Sequence, residues 1–210
     1  SDGKETVYIA TDGNGVHFLS HKKQQVTRRF YHDVSDKEGI RSNSVYSLLV
    51  DDRGAVWVGH FQAGLDYSLY QNGLFRTYAY PPLFNSANLS IRSFISRGQE
   101  KVIGSRDGLF YINEATGMVK SFVKPVLTSD LILTISFYQG EYYIGTYGGG
   151  MMVLNPETLS LKYFSQSDTE LFQKGHIFCV KPDTKGNLWI GTSQGLFNYN
   201  GQTKQIKHFT

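Results

Sequence analysis

Short apolar runs alternate with polar turns along the whole chain, and the runs come back in phase. Aligned on the residue that follows an apolar pair, the anchors are Ala10 (after Tyr8-Ile9), Gly59 (after Trp57-Val58), Gly104 (after Val102-Ile103), Gly145 (after Tyr143-Ile144) and Gly191 (after Trp189-Ile190). They stand 49, 45, 41 and 46 residues apart, and a period of that length marks stacked supersecondary units. Each anchor leads into a small or polar residue, a short turn, then Gly and an apolar residue, as in His60…Gly64-Leu65 and Thr146…Gly150-Met151. The fullest copies are Asp51-Asp52-Arg53-Gly54-Ala55-Val56-Trp57-Val58-Gly59 and Asp183-Thr184-Lys185-Gly186-Asn187-Leu188-Trp189-Ile190-Gly191.

The runs are rich in Val, Ile, Tyr, Phe and Trp, which reads as strand. In the second copy the pattern predicts four strands, A to D, at 44–50, 55–60, 65–70 and 75–80. The C–D turns, Gln71-Asn72-Gly73 and Asn200-Gly201-Gln202-Thr203 among them, carry the Asn and Gly that tight hairpins need for positive φ. Four antiparallel strands per period predict an all-β fold, a β-propeller of four-stranded antiparallel blades. The expected blades are about five, at 1–35, 40–80, 88–124, 129–165 and 174–210. The first lacks its first strand, so the expectation is an incomplete arc within a longer parent protein. Residues 168–174 suit one helical turn. Trp57, Trp189, Tyr143 and Tyr8 fall on second strands, where large rings fill the wedge between neighbouring blades.

Composition narrows the functions. A hydrophobic share of 40% and an aromatic share of 14% suit a folded all-β domain rather than disorder. A net charge of +3, with no basic run longer than Lys22-Lys23 or Arg28-Arg29, argues against direct nucleic-acid binding. It supports only a mild preference for anionic ligands. Cys179 is alone, which excludes an internal disulfide; between Phe178 and Val180 it is expected to be a buried small apolar residue. No run of 18 or more apolar residues occurs.

Most candidate chemistry belongs to the repeat. Glu5, Asp51, Asp52, Glu100, Glu141 and Asp183 recur in successive A–B hairpins, where a polar residue caps the turn, so no catalytic residue is expected among them. Asp66 breaks the pattern, because its counterparts are Phe110, Met152 and Phe197; His17 occupies the same deviant position and is expected to face a pocket. Asp12-Gly13-Asn14-Gly15 resembles the front of a calcium loop, but Lys23 stands where the bidentate Glu belongs. His17 and His21 share a face only on a helix, so no metal and no cofactor is expected. Gly148-Gly149-Gly150 precedes a strand and lacks the helix N-terminus that cradles phosphate.

The B–C connections vary while the strands around them do not, and variable loops on a rigid scaffold carry recognition. Phe61 and Tyr147 suit stacking on a sugar ring or a side chain. Arg106, Gln62 and Gln194 suit hydrogen bonding, with Asp107 beside Arg106, a residue fitted to a carboxylate or sulfate. The longer D–A loops at 32–43 and 165–175 add Arg41 and Lys174. The ordinary alternative is a set of solvated loops.

The Asp-x-x-Gly-x-x-Trp-[Val/Ile]-Gly signature, followed by Gly-Leu and preceded by Ile40-Arg41-Ser42-Asn43 and Ser44-Val45-Tyr46-Ser47-Leu48, resembles the two-component regulator propeller repeat. The match is best at 39–65 and 174–197; Val102, Ala10 and His60 depart from it. The resemblance implies the periplasmic sensor region of a hybrid two-component protein of polysaccharide-degrading bacteria. It implies an oligosaccharide or other small ligand as partner, other domains of the parent chain including a membrane helix and a histidine kinase, and signalling within a homodimer. The segment itself would catalyse nothing. Two rival readings are a propeller lyase or glycosidase and a protein-interaction propeller.

Overall fold

The computed structural model describes residues 6–69, 74–78, 89–164 and 170–209. Its first sheet holds β1 (Thr6–Ala10), β2 (Val16–Ser20) and β3 (Gln25–Phe30). The second holds β4 (Val45–Val50), β5 (Val56–His60), β6 (Leu65–Ser68) and β7 (Arg76–Thr77). The third holds β8 (Ile91–Arg97), β9 (Glu100–Ser105), β10 (Leu109–Asn113) and β11 (Met118–Phe122). The fourth holds β12 (Ile132–Tyr138), β13 (Glu141–Thr146), β14 (Met151–Leu154) and β15 (Leu161–Tyr163). After the single-turn helix α1 (Glu170–Lys174), the fifth holds β16 (Ile177–Pro182), β17 (Asn187–Thr192), β18 (Gly195–Asn200) and β19 (Ile206–Phe209). In every sheet each strand lies beside its sequence neighbour, so each is an up-and-down blade of a β-propeller.

Local chemistry sets the blades. Asp51 Oδ1 accepts from the amides of Arg53 and Ala55 at 3.0 and 2.9 Å, which closes the A–B turn, while Oδ2 accepts from Trp57 Nε1 at 3.0 Å. Asp183 does the same for Lys185, Asn187 and Trp189 Nε1, at 2.9, 2.8 and 3.0 Å. The fixed Asp-to-Trp spacing is therefore one carboxylate that caps a turn and anchors an indole. Asn187 leads the groups that hold the Asp183 carboxyl down at about 2, with Trp189 and Lys185 adding to it and burial opposing. Burial works to raise Asp51, but the Trp57, Ala55 and Arg53 hydrogen bonds outweigh it and lower it.

The anchor glycine has a packing reason. A Cβ at Gly145 would meet Ile177 Cγ2 at 2.7 Å, and one at Gly59 would meet Ile91 Cγ2 at 2.9 Å. The first strand of the following sheet lies directly on that backbone, so the sheets stack closely only where the side chain is missing.

The chain divides into two compact units, Ser1–Lys101 with Ile112–Val119, and Val102–Tyr111 with Lys120–Thr210. In the first, Tyr8, Val16, Phe18, Ile40, Val45, Val56, Val58 and Phe75 form one core. In the second, α1 inserts Leu171 and Phe172 among Tyr143, Phe164, Ile190 and Tyr199. Among the described residues no helix is long and apolar enough to cross a membrane.

Two expectations need correction. Cys179 is exposed, not buried. A register shift between Ile177 and Cys179 interrupts the alternation of β16, turning Ile177 and Val180 inward and leaving Phe178 and Cys179 outside. Trp189 is only half-buried, with its ring 5.7 Å from Phe209, whereas Trp57 is 2% exposed among Tyr67, Tyr78 and Phe94. The second strand supplies the same aromatic in both, but only Trp57 is enclosed. Tyr70, Ala79 and Tyr80, expected at strand ends, lie outside the described residues.

Candidate functional site

The B–C turn of the second sheet is where the repeat pattern fails most clearly. In the other sheets the residue after the anchor is a hydroxyl bonded to the carbonyl of the turn glycine. Thr11 reaches Gly15, Ser105 reaches Gly108, Thr146 reaches Gly150 and Thr192 reaches Gly195, at 2.8 to 3.0 Å. The second sheet has His60 at that place. Its Nε2 lies 2.8 Å from Asp66 Oδ2, and the two residues are 0% and 1% exposed.

Asp66 stands opposite Val58, as Met152 stands opposite Ile144, Phe197 opposite Ile190 and His17 opposite Ile9. A carboxylate in this apolar position must find partners to replace lost water. It does so twice over: Asp66 Oδ1 accepts from Arg41 Nε at 2.8 Å, and Oδ2 accepts from the Arg41 amide at 2.9 Å as well as from His60. Arg41 is thus fixed at its backbone and at its guanidinium by one buried side chain. A carboxylate can only accept, so Nε2 is the donor; His60 Nδ1 is buried with no hydrogen-bond partner among the described residues.

Aromatic groups flank the same turn. Phe61 is half-buried with its ring 5.1 Å from Tyr46, and the Arg92 guanidinium lies over the Tyr46 ring at 4.8 Å. The Phe61 amide donates to Ser44 at 3.0 Å, and the Gln62 amide donates to Ser90 Oγ at 3.3 Å. Gln62 itself is exposed, with φ of 53°. The expected residues Phe61 and Gln62 therefore share one turn, with Asp66 just beyond it on β6, joined by Arg41 and by His60, Tyr46 and Arg92, which sequence reasoning did not select. The signal was present for His60 alone, as a departure from Thr.

The other expected residues are placed apart. His17 is half-buried, with Nε2 2.9 Å from Asn14 O, so it closes its own loop. In the second unit Arg106 and Asp107, Tyr147 and Gln194 stand on three separate B–C turns, all exposed. The Tyr147 ring is already stacked on His176, with centroids 4.0 Å apart. The Gln194 carbonyl accepts from His208 Nε2 at 2.7 Å. The second unit also holds a cavity of about 210 Å³ lined by Tyr143, Tyr163, Phe164, Tyr199 and Lys204, with the Glu141–Lys162 pair at 3.0 Å. Burial, then Tyr199, pushes the Tyr143 phenol far above the usual range. Among the described residues no group of three or more His, Cys, Asp or Glu could hold a metal ion.

Residues 39–62 and 172–194 match the family described as two component regulator propeller. No curated protein matches the chain. Solved structures do. The extracellular domain of a putative hybrid two component system from B. thetaiotaomicron is 23% identical over 95% of this chain and 29% of its own, with a TM-score of 0.68. An ancestral GH74 enzyme is 14% identical over 98% of this chain and 29% of its own, with a TM-score of 0.70. The Cps50 (Swd1) β-propeller domain of Myceliophteria thermophila is 12% identical over 97% of this chain and 69% of its own, with a TM-score of 0.67. The chain spans less than a third of the two component system domain it resembles.

Proposed function

We propose, from the premise that this chain carries two component regulator propeller repeats, that it is an extracytoplasmic sensor segment of a hybrid two-component signalling protein. Its ligand is an oligosaccharide derived from a complex glycan, and the kinase that reads the signal lies elsewhere in the parent protein. The observation that carries this reading is the first matched segment, 39–62, which contains Arg41, Tyr46, His60 and Phe61. Around the turn that ends this segment the Phe61 and Tyr46 rings meet, and Asp66, just beyond it, fixes the Arg41 guanidinium. Rings suit the apolar faces of sugars, and the cation suits their oxygens. The likeness to an extracellular domain of a putative hybrid two component system supports the extracytoplasmic placement. Signalling follows from differential affinity: the ligand shifts a dimeric parent toward whichever arrangement binds it more tightly.

Asp66 is ill suited to hydrolysis, because both carboxylate oxygens already accept from Arg41 and His60. Calorimetry with an oligosaccharide panel, run beside a product assay, tests the proposal. Heat without product supports a sensor, and turnover overturns it in favour of a glycosidase.

A further inference from the structure

We propose that Arg41 is an oxyanion receptor, so that the recognised sugar carries an acidic group, a uronate carboxylate or a sulfate ester. This rests on the oligosaccharide reading above and names the class of ligand within it. Asp66 holds Arg41 by Nε and by the backbone amide, 2.8 and 2.9 Å away. Nη1 and Nη2 have no partner among the described residues, and the Arg41 side chain is 32% exposed. A guanidinium usually meets a carboxylate with two parallel N–H groups. Here the Asp66 oxygens take Nε, the amide and His60, and among the described residues the Nη pair keeps its donors unspent.

The cluster is costly unless it does something. Four copies keep a hydroxyl in the His60 place, and the copies with Met152 and Phe197 keep an apolar residue in the Asp66 place. Replacing both at once buries a carboxylate and leaves His60 Nδ1 orphaned. What results is one arginine locked in a single orientation, and pre-organisation of that kind lowers the entropic cost of binding. A lysine could not replace it, since a point charge has no fork. His60 acts through Asp66 and is a positioning residue.

The Arg41 Nε–H resonance of ¹⁵N-labelled chain reports on the site directly. It is titrated with tetragalacturonate, its fully methyl-esterified counterpart, and a sulfated tetrasaccharide, with calorimetry on the same samples. The expected result is a saturable shift with an acidic sugar and none with the ester; whichever acid binds tighter identifies the group. R41K should weaken that binding by about 10- to 100-fold, the worth of hydrogen bonds to a charged group. No shift with either acidic sugar overturns the assignment. An equal shift with the ester overturns it too, while heat released by the ester leaves the oligosaccharide reading standing without the oxyanion.

Discussion

His60 Nε2 and Asp66 Oδ2 are 2.8 Å apart, and each residue is a departure from the repeat within the same copy. Two exceptions that meet in space are a built feature: without Asp66 the buried His60 Nε2 would lose its acceptor, and without His60 the buried Asp66 Oδ2 would keep only the Arg41 amide. His60→Thr restores the residue of the other copies but removes a donor from a buried carboxylate. The expected loss is about 1–3 kcal/mol in urea unfolding. Together with Asp66→Asn, a double-mutant cycle should return a coupling of about 0.5–3 kcal/mol. Additive single losses would mean the pair is not coupled.

Asp51 should matter for stability rather than for ligand. Asp51→Ala opens the A–B turn and orphans the Nε1–H of the buried Trp57. A loss of about 1–3 kcal/mol is expected, with oligosaccharide affinity unchanged. Parallel unfolding and binding curves check both halves.

Asp183 gives the same contact a pH signature. Its folded carboxyl sits at about 2, below the ordinary 3.8. A depressed folded value stabilises fully above the unfolded value and fades as pH falls from about 4 toward about 2. The melting temperature of Asp183→Asn should therefore lie below that of the parent chain at pH 6, and the gap should close by pH 2. A gap constant across that range would contradict the assignment.

The anchor glycines provide a paired comparison at one repeat position. Gly145→Ala must push against Ile177 and Thr134, and overpacking of that kind costs about 1–3 kcal/mol. A Cβ at Gly191 would meet Cys179 Cβ at 3.6 Å, an ordinary contact, so Gly191→Ala should be tolerated. Equal costs would rule out sheet stacking as the reason for the glycine.

Much of the fold was legible because the period fixes it. The anchors fall on the same strand position in successive sheets, and the helical turn expected at 168–174 is α1. The Asp-to-Trp spacing was visible as a pattern, but its cause, an indole hydrogen bond, was not. Cys179 failed because apolar neighbours suggest burial, whereas a bulge in β16 decides which side faces out. At the site, Asp66 stood out by its charge, yet its partners come from 25 residues upstream and from across a hairpin. Sequence spacing alone does not bring Arg41, His60 and Asp66 together. The B–C residues of the second unit were chosen for chemistry, and there Tyr147 is committed to His176 on one face.

Hydrogen–deuterium exchange with and without a binding oligosaccharide shows whether recognition is concentrated in the second sheet. Added protection is expected in peptides covering 39–46 and 60–66, with the A–B turns at 51–55 and 183–187 unchanged. Protection confined to other segments, or none in 39–46 and 60–66 under saturating ligand, would contradict that placement.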